Sequence, residues 1–148
     1  MDKHELRVMA LTGGLLSIFL FAIIYNAFSR KIDVPTCVPY TGAFKKPHIK
    51  KVDDLNYEVY AVAHMWSYDP DEITIPTGST IDLYLTSLDV VHGFNIVLKG
   101  VNLMAVPGGV SKTTITFNDP GIYRIVCHEY CGAGHQYMMG KIIVTDKR

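Results

Sequence analysis

The order of apolar and polar positions divides this chain into three stretches. From Val8 to Phe28 it reads VMALTGGLLSIFLFAIIYNAF, with no charged residue. As a helix this stretch is about 31 Å long, enough to cross the hydrocarbon layer of a bilayer. Asp2, Lys3, Glu5 and Arg7 precede it, and Arg30 and Lys31 close it. A cleaved signal peptide fits poorly, because the apolar stretch is long and no A-x-A site follows it. Residues 1–29 are therefore expected to form a tail and a single transmembrane helix. Residues 30–55 show no apolar period. They hold Pro35, Pro39, Gly42 and Pro47, and the run KKPHIKK over 45–51. This reads as a connection. Its basic run suits lipid headgroups or a partner subunit as well as solvent.

From Asn56 the period becomes two. Tyr57, Val59 and Ala61 alternate with Glu58, Tyr60 and Val62; Ile81, Leu83 and Leu85 alternate with Asp82, Tyr84 and Thr86. Ile73 and Ile75, GFNIVL (93–98), TTITF (113–117), IYRIV (122–126) and MGKIIVT (139–145) continue the series. Turn signals separate them: Pro76-Thr77-Gly78-Ser79, Pro107-Gly108-Gly109 and Asn118-Asp119-Pro120-Gly121. Short runs rich in Val, Ile, Thr and Tyr between such turns predict strands. Residues 56–148 are thus expected to form a mainly β domain, a Greek-key sandwich or barrel.

Composition narrows the function. The 148 residues carry 14 Lys+Arg and 14 Asp+Glu, a formal net charge of zero. A nucleic-acid binder would show a basic excess, so no nucleic-acid partner is expected. Three cysteines are too few for a disulfide scaffold. The mean hydropathy of +0.18 is high because of the N-terminal stretch.

The chemistry is concentrated between two predicted strands. The loop reads Cys127-His128-Glu129-Tyr130-Cys131-Gly132-Ala133-Gly134-His135-Gln136-Tyr137-Met138-Met139, a Cys-x3-Cys-x3-His-x2-Met pattern. Thiolate and thioether are soft ligands that favour copper. Gly132 and Gly134 would let the backbone wrap tightly round a metal. His92 ends the run Leu88-Asp89-Val90-Val91-His92 and could reach the loop from a neighbouring strand end. Several arrangements use these residues. A zinc site of Cys127, Cys131, His135 and His92 leaves Met138 idle. A Cys127–Cys131 disulfide closes a small loop of little stabilising value. A mononuclear blue-copper site of His92, one cysteine, His135 and Met138 leaves one thiolate over. Two coppers bridged by both cysteines use the whole set, with a backbone carbonyl as the remaining axial ligand.

The segment from Ser87 to Val144 resembles subunit II of haem–copper cytochrome oxidases. That family shows a histidine in an Asp-Val-x-His run, here Asp89-Val90-Val91-His92, and then Cys-x-Glu-x-Cys-Gly-x-x-His-x-x-Met, here from Cys127 to Met138. The resemblance covers the β domain from about Tyr57 to Thr145. It implies a cupredoxin-like fold and a dinuclear CuA centre. In that centre Cys127 and Cys131 would bridge both coppers, and His92 and His135 would bind one each. Met138 would be a weak axial ligand and Glu129 would offer its backbone carbonyl. The single helix, the run Tyr57–Pro70 and the His135-Gln136 pair resemble the short B-type subunit. Longer A-type relatives take up electrons through the first tryptophan of Trp-x-Trp-Ser-Tyr. Here His64-Met65-Trp66-Ser67-Tyr68 stands in its place, so Trp66 and Tyr68 are the remaining candidates for electron uptake. In A-type relatives the Glu129 position also helps bind magnesium at the subunit I interface.

The resemblance implies a cytochrome c donor and a haem-bearing subunit I that reduces oxygen to water with coupled proton pumping. This chain alone is not expected to reduce oxygen. Its helix would sit in the plasma (inner) membrane with the copper domain on the outer, periplasmic side. A count of Lys and Arg after the helix would place that domain in the cytoplasm instead; the location of the donor decides for the outside. A copper-delivery module and the CuA domain of nitrous oxide or nitric oxide reductase are the competing readings. A copper-delivery module would exchange its metal readily. Nitrous oxide reductase would need a large further catalytic domain. Among the remaining residues, His128 is expected to face solvent or a partner, and Met65, Met104 and Met139 to pack. His4, His48 and His64 read as ordinary polar residues. Cys37 reads as a lone thiol or a lipid-modified one.

With no net charge, donor docking gains little from long-range attraction. The rate of donor association measured by stopped-flow mixing should therefore fall only weakly with added salt; a steep loss would contradict this.

Overall fold

Two compact units, residues 1–33 and 34–148, make up the chain. The computed structural model describes residues 2–29, the backbone of 36–38, and residues 44–146. The first unit is a helix, α1 (Lys3–Ser29), none of whose residues is buried. It is long and apolar enough to cross a membrane. A helix apolar all round suits lipid better than water.

The second unit is built from strands. In chain order they are β1 (Thr36–Val38), β2 (His48–Lys51), β3 (Asn56–His64), β4 (Ser67–Asp69), β5 (Glu72–Pro76) and β6 (Ser79–Ser87). There follow β7 (His92–Ile96), β8 (Val101–Ala105), β9 (Val110–Phe117), β10 (Gly121–Val126) and β11 (Met139–Thr145). One sheet has the order β1-β9-β6-β3-β2, with β4 paired to β3. The other has the order β5-β11-β10-β7-β8. The β3–β6 and β5–β11 pairs are parallel. The fold is the mainly β sandwich that the strand pattern predicts, and it agrees with the cupredoxin-like fold that the resemblance implies. Alternation places Ile81, Leu83 and Leu85 of β6 inward. They meet Ile73, Ile75, Phe94, Ile96, Ile125, Ile142 and Val144 of the other sheet in one core.

The stretch 30–55 is not all connection. Its described part supplies β1, which pairs with β9, and β2, which pairs with β3. Every residue of β2 is exposed, so it has no inward face to write a period of two into the sequence. Backbone pairing alone makes it a strand, and lysines on such an edge discourage further pairing. Lys50 meets Glu58 at 3.2 Å and Lys51 meets Asp54 at 2.9 Å. Exposed pairs of this kind contribute little stability. β4 and β8 carry little strand signal in the sequence: β4 has three residues, and only Leu103 and Ala105 of β8 are buried. The Cys37 side chain, Arg30 and Lys31 lie outside the described residues.

Phe117 is fully buried, edge-on to Tyr123 at 5.0 Å and covered by the Lys99 ammonium. Phe117→Ala should cost about 3–5 kcal/mol. Ile49→Ala, on the exposed edge strand, should cost no more than about 0.5 kcal/mol. Urea unfolding followed by the fluorescence of the single Trp66 checks both.

Candidate metal centre

The ligand loop is closed at its neck. Val126 at the end of β10 pairs with Met139 at the start of β11. The Cys127 N–H then donates to the Met138 carbonyl at 3.3 Å. Residues 127–138 are thus tied off as one loop, with a short 3-10 turn at His135–Tyr137. Inside it Cys131 Sγ lies 3.8 Å from Cys127 Sγ, 3.6 Å from His135 Nδ1 and 3.8 Å from Met138 Sδ. The Cys127 thiol donates to the Glu129 carbonyl at 3.2 Å. Both cysteines are free thiols, and 3.8 Å is far beyond a disulfide bond.

His92, from β7, completes the set. One of its ring nitrogens and both thiol sulfurs lie within 4.8 Å of one another. His135 lies outside that group and approaches Cys131 alone, at 3.6 Å. All of His92, Cys127, Cys131 and Met138 are buried. Among the described residues His92 Nδ1 has no hydrogen-bond partner although it is buried. Buried polar atoms are normally satisfied. An orphaned imidazole nitrogen beside two thiols and a thioether fits a soft metal ion, and copper suits this donor set.

Asp89 orients that imidazole. Its Oδ1 is 2.7 Å from His92 Nε2, and its Oδ2 accepts the Met65 N–H at 2.7 Å. It also accepts the Val90 N–H at 2.6 Å. Partial burial works to raise this carboxyl, but the bonds from His92, Met65 and Val90 outweigh it and hold Asp89 at about 2. The ionised carboxylate accepts the hydrogen bond of Nε2–H, which leaves Nδ1 as the bare ring nitrogen, as orienting carboxylates do for metal-binding histidines. Asp89 stands three residues before His92, and that spacing is the local sequence signal for this role.

The two candidates for electron uptake part ways. Trp66, on the loop between β3 and β4, is 41% exposed, and its Nε1–H donates to the Cys131 carbonyl at 3.0 Å. Its ring lies on Gly134, where an added Cβ would come within 2.3 Å of it. Gly132 beside it has a φ of +114°. These glycines therefore seat an indole, rather than only letting the loop wrap a metal. Tyr68 is buried at 1% exposure, because the alternation of β4 turns it inward. Its hydroxyl donates to the Gly93 carbonyl. Burial, and then the neighbouring Cys127 thiol, push its phenol well above the usual range. Tyr68 thus offers no surface contact to a donor.

His128 is exposed, as expected, while the inner edge of its ring packs on Gly93. The expectation for the methionines changes. Met65, Met104 and Met139 are each about half exposed. Met104 and Met139 fall on the outward phase of β8 and β11, and Met65 lies on a loop. The Glu129 carboxylate is half-exposed, with His128 Nε2 3.9 Å away.

Residues 51–146 match the family described as cytochrome C oxidase subunit II, periplasmic domain. Cytochrome c oxidase subunit 2 of Thermus thermophilus is 34% identical over 155 residues, covering 97% of this chain and 92% of that one. A second Thermus thermophilus protein of that name is 40% identical over 119 residues, 79% of this chain and 87% of its own length. Among solved structures, a haem–copper terminal oxidase dimer contains a chain with TM-score 0.86 and 44% identity; the match covers 97% of this chain and all of that one. The periplasmic domain of subunit II of the Bradyrhizobium japonicum oxidase, at TM-score 0.56 and 23% identity, shares the fold.

Burial, then the contact with Cys127, pushes the Cys131 thiol up to about 11. The folded metal-free chain therefore holds this proton more tightly than the unfolded chain. Its stabilising effect is complete below about pH 9, the ordinary thiol range, and is lost as pH rises through the folded value. The gap in urea midpoint between the metal-free chain and Cys131→Ser should be constant below pH 8 and should change between about pH 9 and 11. A gap independent of pH over that window would contradict the buried, protonated thiol.

Proposed function

The chain belongs to the cytochrome c oxidase subunit II family, and from that premise we propose that it is the electron-uptake subunit of a terminal oxidase, holding a dinuclear CuA centre. As subunit II of a haem–copper oxidase it works in a complex with subunit I. We read Cys127 and Cys131 as bridging ligands and His92 and His135 as ligands to one copper each. Met138 and the Glu129 carbonyl would be the weak axial ligands. The observation that carries this reading is a pair of buried thiols 3.8 Å apart, with His92 grouped on both and His135 reaching Cys131 from outside that group. One tetrahedral ion would need all four donors to converge. When bound, the copper pair supplies a one-electron couple shared over two ions.

The chain's own residues do the rest. Burial of the thiols, His92 and Met138 keeps water from the donors. The neck bond of the loop and the Asp89 clamp limit their movement between oxidation states. Trp66 joins the surface to the Cys131 carbonyl by one hydrogen bond, which supports it as the point of electron uptake. Exposed Met65, Leu88, Val90, Tyr130 and Tyr137 lie on the loops around it and carry no charge. Such a collar suits a cytochrome c-type donor that docks by apolar contact. Electrons would pass to the haem of subunit I, where oxygen is reduced to water with coupled proton pumping. The copper domain would lie on the outer side of the plasma (inner) membrane, with Glu129 available to a magnesium ion at the subunit I interface.

Copper analysis and low-temperature electron paramagnetic resonance of the copper-loaded full chain in detergent test this. Two coppers per chain, and one unpaired electron split by both nuclei, are expected. One copper with a single-nucleus spectrum, or copper lost to a mild chelator, would instead favour a blue-copper or copper-delivery role.

A further inference from the structure

The His92 strand and the ligand loop are held together by surprisingly little backbone pairing. Between β7 and β10 the register has only two partners, Ile96 with Ile125 and Asn95 with Val126. From Cys127 onward the chain leaves β7 to form the loop. Yet His92, three residues beyond the last partner on β7, must still meet Cys127 and Cys131. One side chain of the loop crosses this opening, and a second side chain, from β4, meets the same residue, Gly93. The Tyr68 hydroxyl donates to the Gly93 carbonyl. The His128 ring lies against the Gly93 Cα: a Cβ there would fall 2.2 Å from His128 Nδ1 and 2.6 Å from Cγ and Cε1. His128 is one residue from Cys127, and Gly93 is one residue from His92.

We propose that His128 is a positioning residue, a wedge between the two ligand-bearing segments that sets the approach of His92 to the cysteine pair and closes that side of the centre to solvent. This rests on the copper-centre reading. Its inner edge sits on Gly93. Its outer end, with Nε2 3.9 Å from Glu129 Oε1, reaches the surface, and the side chain is 30% exposed. The role belongs to the ring's bulk, so another flat ring should serve. Position 93 must be glycine because the ring occupies the space of a Cβ.

The test uses the copper-loaded full chain in detergent with four variants: His128→Ala, His128→Phe, Gly93→Ala and the double variant Gly93→Ala with His128→Ala. The readouts are the rate of copper loss to a copper chelator and the copper hyperfine splitting. His128→Ala and Gly93→Ala should each speed copper loss by about tenfold or more, the range seen when support of a metal ligand is removed. Both should alter the splitting. His128→Phe should stay within about twofold of the parent. The double variant should lose copper no faster than His128→Ala alone, because the added methyl enters vacated space, so the two effects do not add. Parent-like copper retention by His128→Ala, loss from His128→Phe as fast as from His128→Ala, or additive effects in the double variant would each overturn the wedge. If His128→Ala fails to fold, His128→Phe and Gly93→Ala still decide. Failure of the copper-centre reading would appear separately, as fewer than two coppers in the parent.

Discussion

The hydrogen bond from the Cys127 N–H to the Met138 carbonyl is the constraint on which the site depends. It ties the first and last donors of a twelve-residue loop to the neck of the β10–β11 hairpin. The two thiols and the thioether are then held inward at the end of the core, with the His135 imidazole half-buried beside them. A loop of this length without a tied neck would fluctuate, and its donors would be reached by water. The same neck lets β10 and β11 remain regular strands up to the donors themselves.

Burying such a set is unfavourable unless something answers its polarity. The structure meets the need with directed hydrogen bonds. Asp89 holds the far nitrogen of His92, the Glu129 carbonyl takes the Cys127 thiol, and Trp66 takes the Cys131 carbonyl. Among the described donors, what remains unanswered is the buried Nδ1 of His92, a residue grouped with both thiols. The polar groups that are satisfied define the frame, and the one that is not marks where a metal belongs.

The parallel pairing of β3 with β6 explains how this frame is assembled. Because both strands run the same way, they leave the sheet at the same end, with Ala63 opposite Ser87. The loop bearing Met65 and Trp66 therefore emerges beside the loop bearing Asp89. Leu88 N–H donates to the Ala63 carbonyl, and Met65 N–H donates to Asp89. One carboxylate thus connects a surface indole's loop to a buried histidine. The exposed Trp66 loop and the donor geometry in the core become parts of one network.

The sequence by itself determined the apolar helix, the strands with one inward face, and the donor loop. Each rests on local chemistry: a charge-free run, a period of two, and soft ligands crowded into twelve residues. It did not determine β2, because an edge strand exposed on both faces has no period. Nor did it separate Trp66 from Tyr68, two residues apart, since only the pairing of β4 decides which is turned into the core. The tasks of His128 and Gly93 were likewise beyond it. Their partners lie on other strands, and contacts between distant segments come from sheet order and register, which no local pattern encodes.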